Sequence, residues 1–118
     1  MTEIQRLHSN GRLSEAAVYN GLVYLAGQVP ENTQADAYQQ TKEVLGFIDK
    51  LLAETGSAKH RILNAQIFLA DMQDYADMNR AWDEWVDKQN PPTRATVEAK
   101  LANADWKVEI VVVAAVGA

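Results

Sequence analysis

Arg94 and Glu109 are the two residues of this chain whose type and setting point most directly to chemistry. Arg94 follows Pro91-Pro92-Thr93, a rigid lead-in that fixes where its guanidinium points. A planar fork of N–H donors suits a carboxylate ligand, while the plainer reading is an ion pair with one of the sixteen acidic side chains. Glu109 stands in Lys-Val-Glu-Ile-Val-Val-Val, the most apolar run of the sequence, where an ionised carboxylate is costly unless paired. It either orients and activates a water as a general base or accepts hydrogen bonds at a subunit interface.

Other residues carry weaker signals. Asn79, next to Met78 on an amphipathic stretch, could reach a ligand or cap a neighbouring loop. Gly27 and Gln28, in Ala-Gly-Gln-Val-Pro, combine close backbone approach with an amide able to bond across an interface. Trp82 and Trp85 have helical spacing and are assigned to the core. His8 and His60 are the two histidines, far apart, and there is no cysteine, so no transition-metal site is expected. The six glycines form neither a phosphate loop nor a dinucleotide fingerprint, and no nucleotide cofactor is expected.

The elements that must position these residues follow from periodicity. Ala16 to Tyr19 and Leu22 to Gln28 are β-rich runs joined by Asn20-Gly21, the dipeptide best suited to a tight hairpin. Asn32 to Glu54 carries Ala37, Thr41, Val44, Leu45, Ile48, Leu51 and Leu52 at helical spacing, with Gly56 as its stop. Arg61 to Ala70 alternates Leu63, Ala65, Ile67 and Leu69 with Asn64, Gln66 and Phe68, which predicts a half-buried strand. Asp74 to Gln89 returns to helical spacing through Tyr75, Met78, Trp82, Trp85 and Val86 before the prolines end it. Arg94 to Leu101 alternates again, and Lys107 to Val116 is β-branched or small almost throughout.

The order is β-β-α-β-α-β-β, preceded by a short strand from Glu3 to Leu7, an α+β arrangement with both helices on one face of a mixed sheet. The final strand is apolar on both faces, so a second subunit is expected to cover the face the helices leave open.

At 118 residues the chain suits a single domain, 1–118. Its net charge of -5 works against nucleic acid and anionic lipid as partners. The opening residues lack the apolar run of an export signal, and Ile110 to Ala118 is too short to span a bilayer, so a cytoplasmic location without membrane contact is expected.

The ordered motifs Ala-Gly-Gln-Val-Pro at 26–30, Pro-Pro-Thr-Arg-Ala-Thr-Val-Glu-Ala at 91–99 and Lys-Val-Glu-Ile at 107–110 resemble the reactive-intermediate deaminase (RidA/YjgF) family. Phe68-Leu69-Ala70-Asp71 and Met78-Asn79-Arg80-Ala81-Trp82 extend the resemblance along nearly the whole chain. It implies a chorismate-mutase-like fold, a homotrimer with clefts between subunits, and cofactor-independent hydrolysis of enamines and 2-imino acids to 2-oxo acids and ammonia. It also implies roles: Arg94 holds the substrate carboxylate, Glu109 positions the attacking water, and Asn79 lines the cleft. Leu13 stands where imine-hydrolysing members tend to have tyrosine, Ala26 where they have serine or threonine, and Thr96 where cysteine is common. Leu13, Ala26 and Thr96 are therefore carried as substrate-facing positions, with Thr96 and Ser14 able to restore hydrogen bonding. Arg12, in place of a proline, either meets a second anionic group or stays solvated. The competing function is a non-catalytic trimeric module that binds small carboxylates such as 2-oxo acids.

Overall fold

The computed structural model describes residues 3–117. Eight main elements follow one another: β1 Gln5–Leu7, β2 Ala16–Tyr19, β3 Leu22–Leu25, α1 Ala37–Glu54, β4 Ile62–Leu69, α2 Tyr75–Trp85, β5 Thr93–Glu98 and β6 Val108–Ala115. They form a six-stranded sheet in the order β1-β2-β3-β6-β4-β5. Only the β4–β5 pair is parallel, with α2 in the connection, so the sheet is mixed.

Local chemistry sets the element ends. Asn20 and Gly21 adopt φ of 54° and 80°, the paired positive angles of a two-residue hairpin turn, and β2 and β3 pair on either side. Helix α1 begins at Ala37 rather than at Asn32, because Asp36 is the N-cap and its Oδ1 accepts the Gln39 N–H at 2.8 Å. The preceding residues form a turn in which Glu43 Oε1 accepts the N–H groups of Glu31 and Asn32. At the other end Gly56, at φ 81°, lets Ser57 N–H reach Leu52 O at 2.8 Å and Gly56 N–H reach Ala53 O at 3.3 Å, a Schellman closure. Helix α2 stops at Trp85, short of Gln89, since Asp87 Oδ1 accepts the N–H groups of Gln89 and Asn90 and turns the chain away.

The core lies between the helices and one sheet face. Val44, Leu45, Ile48, Leu51 and Leu52 of α1 and Met78 and Trp82 of α2 pack on Val23, Leu25, Ala65, Ile67, Leu69, Val108, Ile110 and Val112. The one buried glutamine on α1, Gln40, is fully satisfied: Nε2 donates to Ala35 O and Asp105 O, and Oε1 accepts the Lys107 N–H. Trp85, expected in the core, is only partly buried; its Nε1 donates to Asp49 Oδ2 at 2.9 Å and ties α2 to α1.

Leu63 departs from the expected alternation. A register irregularity between Ile62 and Asn64 turns Ile62 inward and leaves Leu63 50% exposed, whereas Ala65, Ile67 and Leu69 face the core as expected. The second sheet face carries Tyr19, Tyr24 and Val97, all exposed, with Val111 and Val113 half-buried between them. Nothing among the described residues covers this face in the way the two helices cover the first.

Candidate functional site

Strand β5 starts on a firm anchor. Asn64 Nδ2 donates to Thr93 Oγ1 at 2.9 Å, and that hydroxyl donates to Leu63 O at 2.9 Å, so the first residue of β5 is fixed on β4. Arg94 comes next, opposite Ala65 in the register, and its side chain therefore lies on the helix-covered face.

There the guanidinium meets α2. Nη1 donates to Asn79 Oδ1 at 2.7 Å and Nη2 approaches Tyr75 Oη at 3.4 Å. The Trp82 and Tyr75 rings lie 5.4 and 6.0 Å from the guanidinium carbon, at the range of a cation–π contact. Among the described residues the ion pairs are His8–Glu54 and Arg80–Asp77, so Arg94 is not in the structural ion pair that is its plainer reading. The groups that the guanidinium meets are neutral. Among the described residues the Asn79 side chain bonds to Arg94 and to no loop backbone.

Thr96, two residues further along β5 and opposite Ile67, lies on the same face as Arg94. Its Oγ1 is buried without a hydrogen-bond partner among the described residues. Such an orphan hydroxyl is costly unless something outside the chain satisfies it.

Glu109 is placed elsewhere. It pairs with Phe68 on β4, three positions from the Ala65 that pairs with Arg94, and an odd separation along a strand means opposite sheet faces. Its carboxylate packs on Gly27, where an added Cβ would sit on Oε2 and 2.9 Å from Cδ, so the carboxylate occupies the space that the absent side chain leaves. Burial raises the Glu109 pKa above the ordinary carboxylate value.

The Gly27 segment is itself pinned. Gln28 exchanges both backbone hydrogen bonds with Ile110, at 2.9 and 3.1 Å, after β3 has ended at Leu25. Within the chain its Nε2 donates to Glu15 Oε1 at 2.9 Å and to Ala26 O at 3.1 Å. Ala26 and Leu13 line one open cleft with Arg6, Arg12, Ser14 and Tyr24.

The expected site residues thus fall into two groups. Arg94, Asn79 and Thr96 lie between β5 and α2, while Glu109 with Gly27, and Leu13 with Ala26, lie around the end of β3. A single chain does not bring Arg94 and Glu109 together. Sequence reasoning missed Tyr75 as a neighbour of Arg94, although Tyr75, Asn79 and Trp82 fall at i, i+4 and i+7 and so share one stripe of α2. Trp82, assigned only to the core, is buried there and also flanks the arginine. Among the described residues no group of three or more His, Cys, Asp or Glu could hold a metal ion, and no helix is long and apolar enough to cross a membrane.

Comparisons with known proteins agree along the whole length. The family described as Endoribonuclease L-PSP matches residues 3–116. A RutC family protein of Haemophilus influenzae is 66% identical over 94% of this chain and 97% of its own. A member of the YjgF protein family from Neisseria meningitidis superposes with a TM-score of 0.96 at 47% identity, covering 99% of this chain and 98% of that one. YyfA of Yersinia pestis, of the conserved Rid protein family, superposes at 0.84 with 31% identity over 92% of this chain and 90% of its own. These matches, on a mixed sheet with two helices packed on one face, show that the chain belongs to the RutC/YjgF/Rid family.

Proposed function

We propose that two copies of the chain complete one site, Arg94, Asn79 and Thr96 coming from one and Glu109, Leu13 and Ala26 from the next, within a closed homotrimer that hydrolyses 2-imino acids to 2-oxo acids and ammonia. The observation that carries this reading is Arg94, a half-buried guanidinium held by Asn79 and Tyr75 with no carboxylate partner among the described residues. Its placement on the face opposite Glu109 supports a site shared between copies, and the uncovered apolar face offers the contact surface. The charge of -5 favours a small carboxylate over the polyanionic RNA that the family description names.

The chemistry asks for orientation and one proton acceptor. The guanidinium takes the substrate carboxylate in a forked pair, which fixes the adjacent C=N carbon. Glu109 accepts a proton from water as the water oxygen bonds to that carbon and the C=N π pair moves to nitrogen, and the carboxyl then delivers that proton to the nitrogen, giving the carbinolamine. The carbinolamine then collapses: its hydroxyl proton passes by way of the Glu109 carboxylate to the amine nitrogen, the C–N bond breaks, ammonia leaves, and the carbonyl of the 2-oxo acid forms. Water is the only co-reactant.

The test is the decay rate of 2-imino acids generated in situ by an amino-acid oxidase and trapped with semicarbazide. Acceleration by the protein supports the reading. No acceleration with any of several side chains, together with binding of 2-oxo acids, would leave the non-catalytic module as the better account. The pH profile adds a check with a definite sign: Glu109 must be ionised, so activity falls as pH drops through its pKa, which burial raises above the ordinary glutamate value. Glu109→Gln should abolish that limb along with most of the rate.

Gly27→Ala is a second check. The new methyl group would displace the flexible Glu109 carboxylate rather than any backbone, so folding should persist while kcat/KM falls about tenfold to a hundredfold. Unchanged kcat/KM in Gly27→Ala would remove Glu109 from the reaction.

A further inference from the structure

The segment between β1 and β2 is tied into a fixed turn. Asn10 Oδ1 accepts the N–H groups of Arg12 and Leu13, both at 2.9 Å, and Asn10 N–H donates to Leu13 O at 3.0 Å. The Ser9 and Ser14 hydroxyls bond each other at 2.7 Å and close the base of the turn. Gly11 at φ 85° makes the reversal that presents Arg12.

This turn forms one wall of the cleft, about 590 Å³, that Leu13 and Ala26 line. Arg6 and Arg12 both line it, and no acidic residue does. Neither arginine has a carboxylate within ion-pair distance among the described residues. In a chain with five more acidic than basic residues, two unpaired guanidinium groups sharing one acid-free cleft run against the average surface and mark it as an anion-accepting place. Ala26, which lines the cleft, is the chain neighbour of the Gly27 that packs on Glu109.

We propose that this cleft takes the distal carboxylate of a doubly anionic substrate, so that the preferred class is the dicarboxylic 2-imino acids. The proposal rests on the reading in which Arg94 of a neighbouring copy holds the carboxylate next to the imine carbon. Arg6 and Arg12 then hold the far end of the same molecule, and Leu13 packs on the methylene groups between.

The experiment is calorimetric titration with 2-oxoglutarate and 2-oxobutanoate, the stable products of a dicarboxylic and a monocarboxylic imine, on wild type, Arg6→Gln and Arg12→Gln. Wild type is expected to bind the dicarboxylic acid about tenfold more tightly, as one charge-assisted contact implies. Arg12→Gln should erase most of that preference while leaving the monocarboxylic acid within about twofold, since only the distal contact is lost. Equal affinities in wild type, equal losses for both acids in Arg12→Gln, or binding of neither acid would each overturn the proposal. Imine turnover measured in parallel separates the two claims. A dicarboxylic preference that depends on Arg12, found without hydrolysis, upholds the ligand class and sinks the hydrolytic reading. Hydrolysis of monocarboxylic imines without that preference does the reverse.

Discussion

Subunits carrying Arg94→Ala, co-assembled in equal amounts with subunits carrying Glu109→Gln, are expected to regain about a quarter of wild-type activity, as random closed assembly of a shared site requires. Each variant alone should lose about a hundredfold or more, Arg94→Ala through lost positioning and Glu109→Gln through the lost proton acceptor. The recovery follows from the strand register. Arg94 opposite Ala65 and Glu109 opposite Phe68 point to opposite faces of one sheet, so no single chain can present both to one substrate. In a mixed ring, a cleft is intact when its arginine comes from a Glu109→Gln copy and its glutamate from an Arg94→Ala copy. Refolding the two variants together and measuring imine hydrolysis gives the answer. Failure to recover, with mixed assembly verified by mass spectrometry, would mean that the two residues do not serve one site.

Ile67→Ala is expected to cost about 2–5 kcal/mol of stability, a large share of what a domain of this size possesses. Ile67 is fully buried on β4 and lies between Ile110 of β6 and Thr96 of β5 in the register. Its removal opens a cavity where three strands meet the helices, and the neighbours can close it only in part. Thermal denaturation at fixed protein concentration measures the loss, and a drop in Tm of less than about one or two degrees would contradict this account of the core. Leu63→Ala, on the same strand but exposed, should cost little in comparison; a loss approaching that of Ile67 would show that another copy covers it.

How much of this is legible in the sequence depends on how local the determinant is. Asn20-Gly21 announces the hairpin, and Gly56 announces the end of α1, because each acts through its own backbone angles. Asp36 as the true N-cap is hidden within a polar stretch, where several residues could cap. Leu63 escapes the alternation because a one-residue irregularity reverses the facing of a side chain, and nothing in the pattern of residue types reports it. The family motifs single out Arg94, Asn79 and Glu109, but their separation onto two faces depends on the pairing of β4 with both β5 and β6. Such pairings join residues far apart along the chain. The contact between Asn79 and Arg94 is of the same kind, fixed only when α2 settles on the sheet.

The two edges of the sheet bear on how copies meet. β1 spans three residues, and β5 spans six directly after two prolines, with charged Arg94 and Glu98 along it. Short, charged and proline-headed edges are poor templates for adding a strand from another molecule. Runaway edge-to-edge growth into fibrils is thereby discouraged at both margins, even though the sheet between them carries a broad apolar face. Any contact between copies is thereby left to that face rather than to the sheet margins.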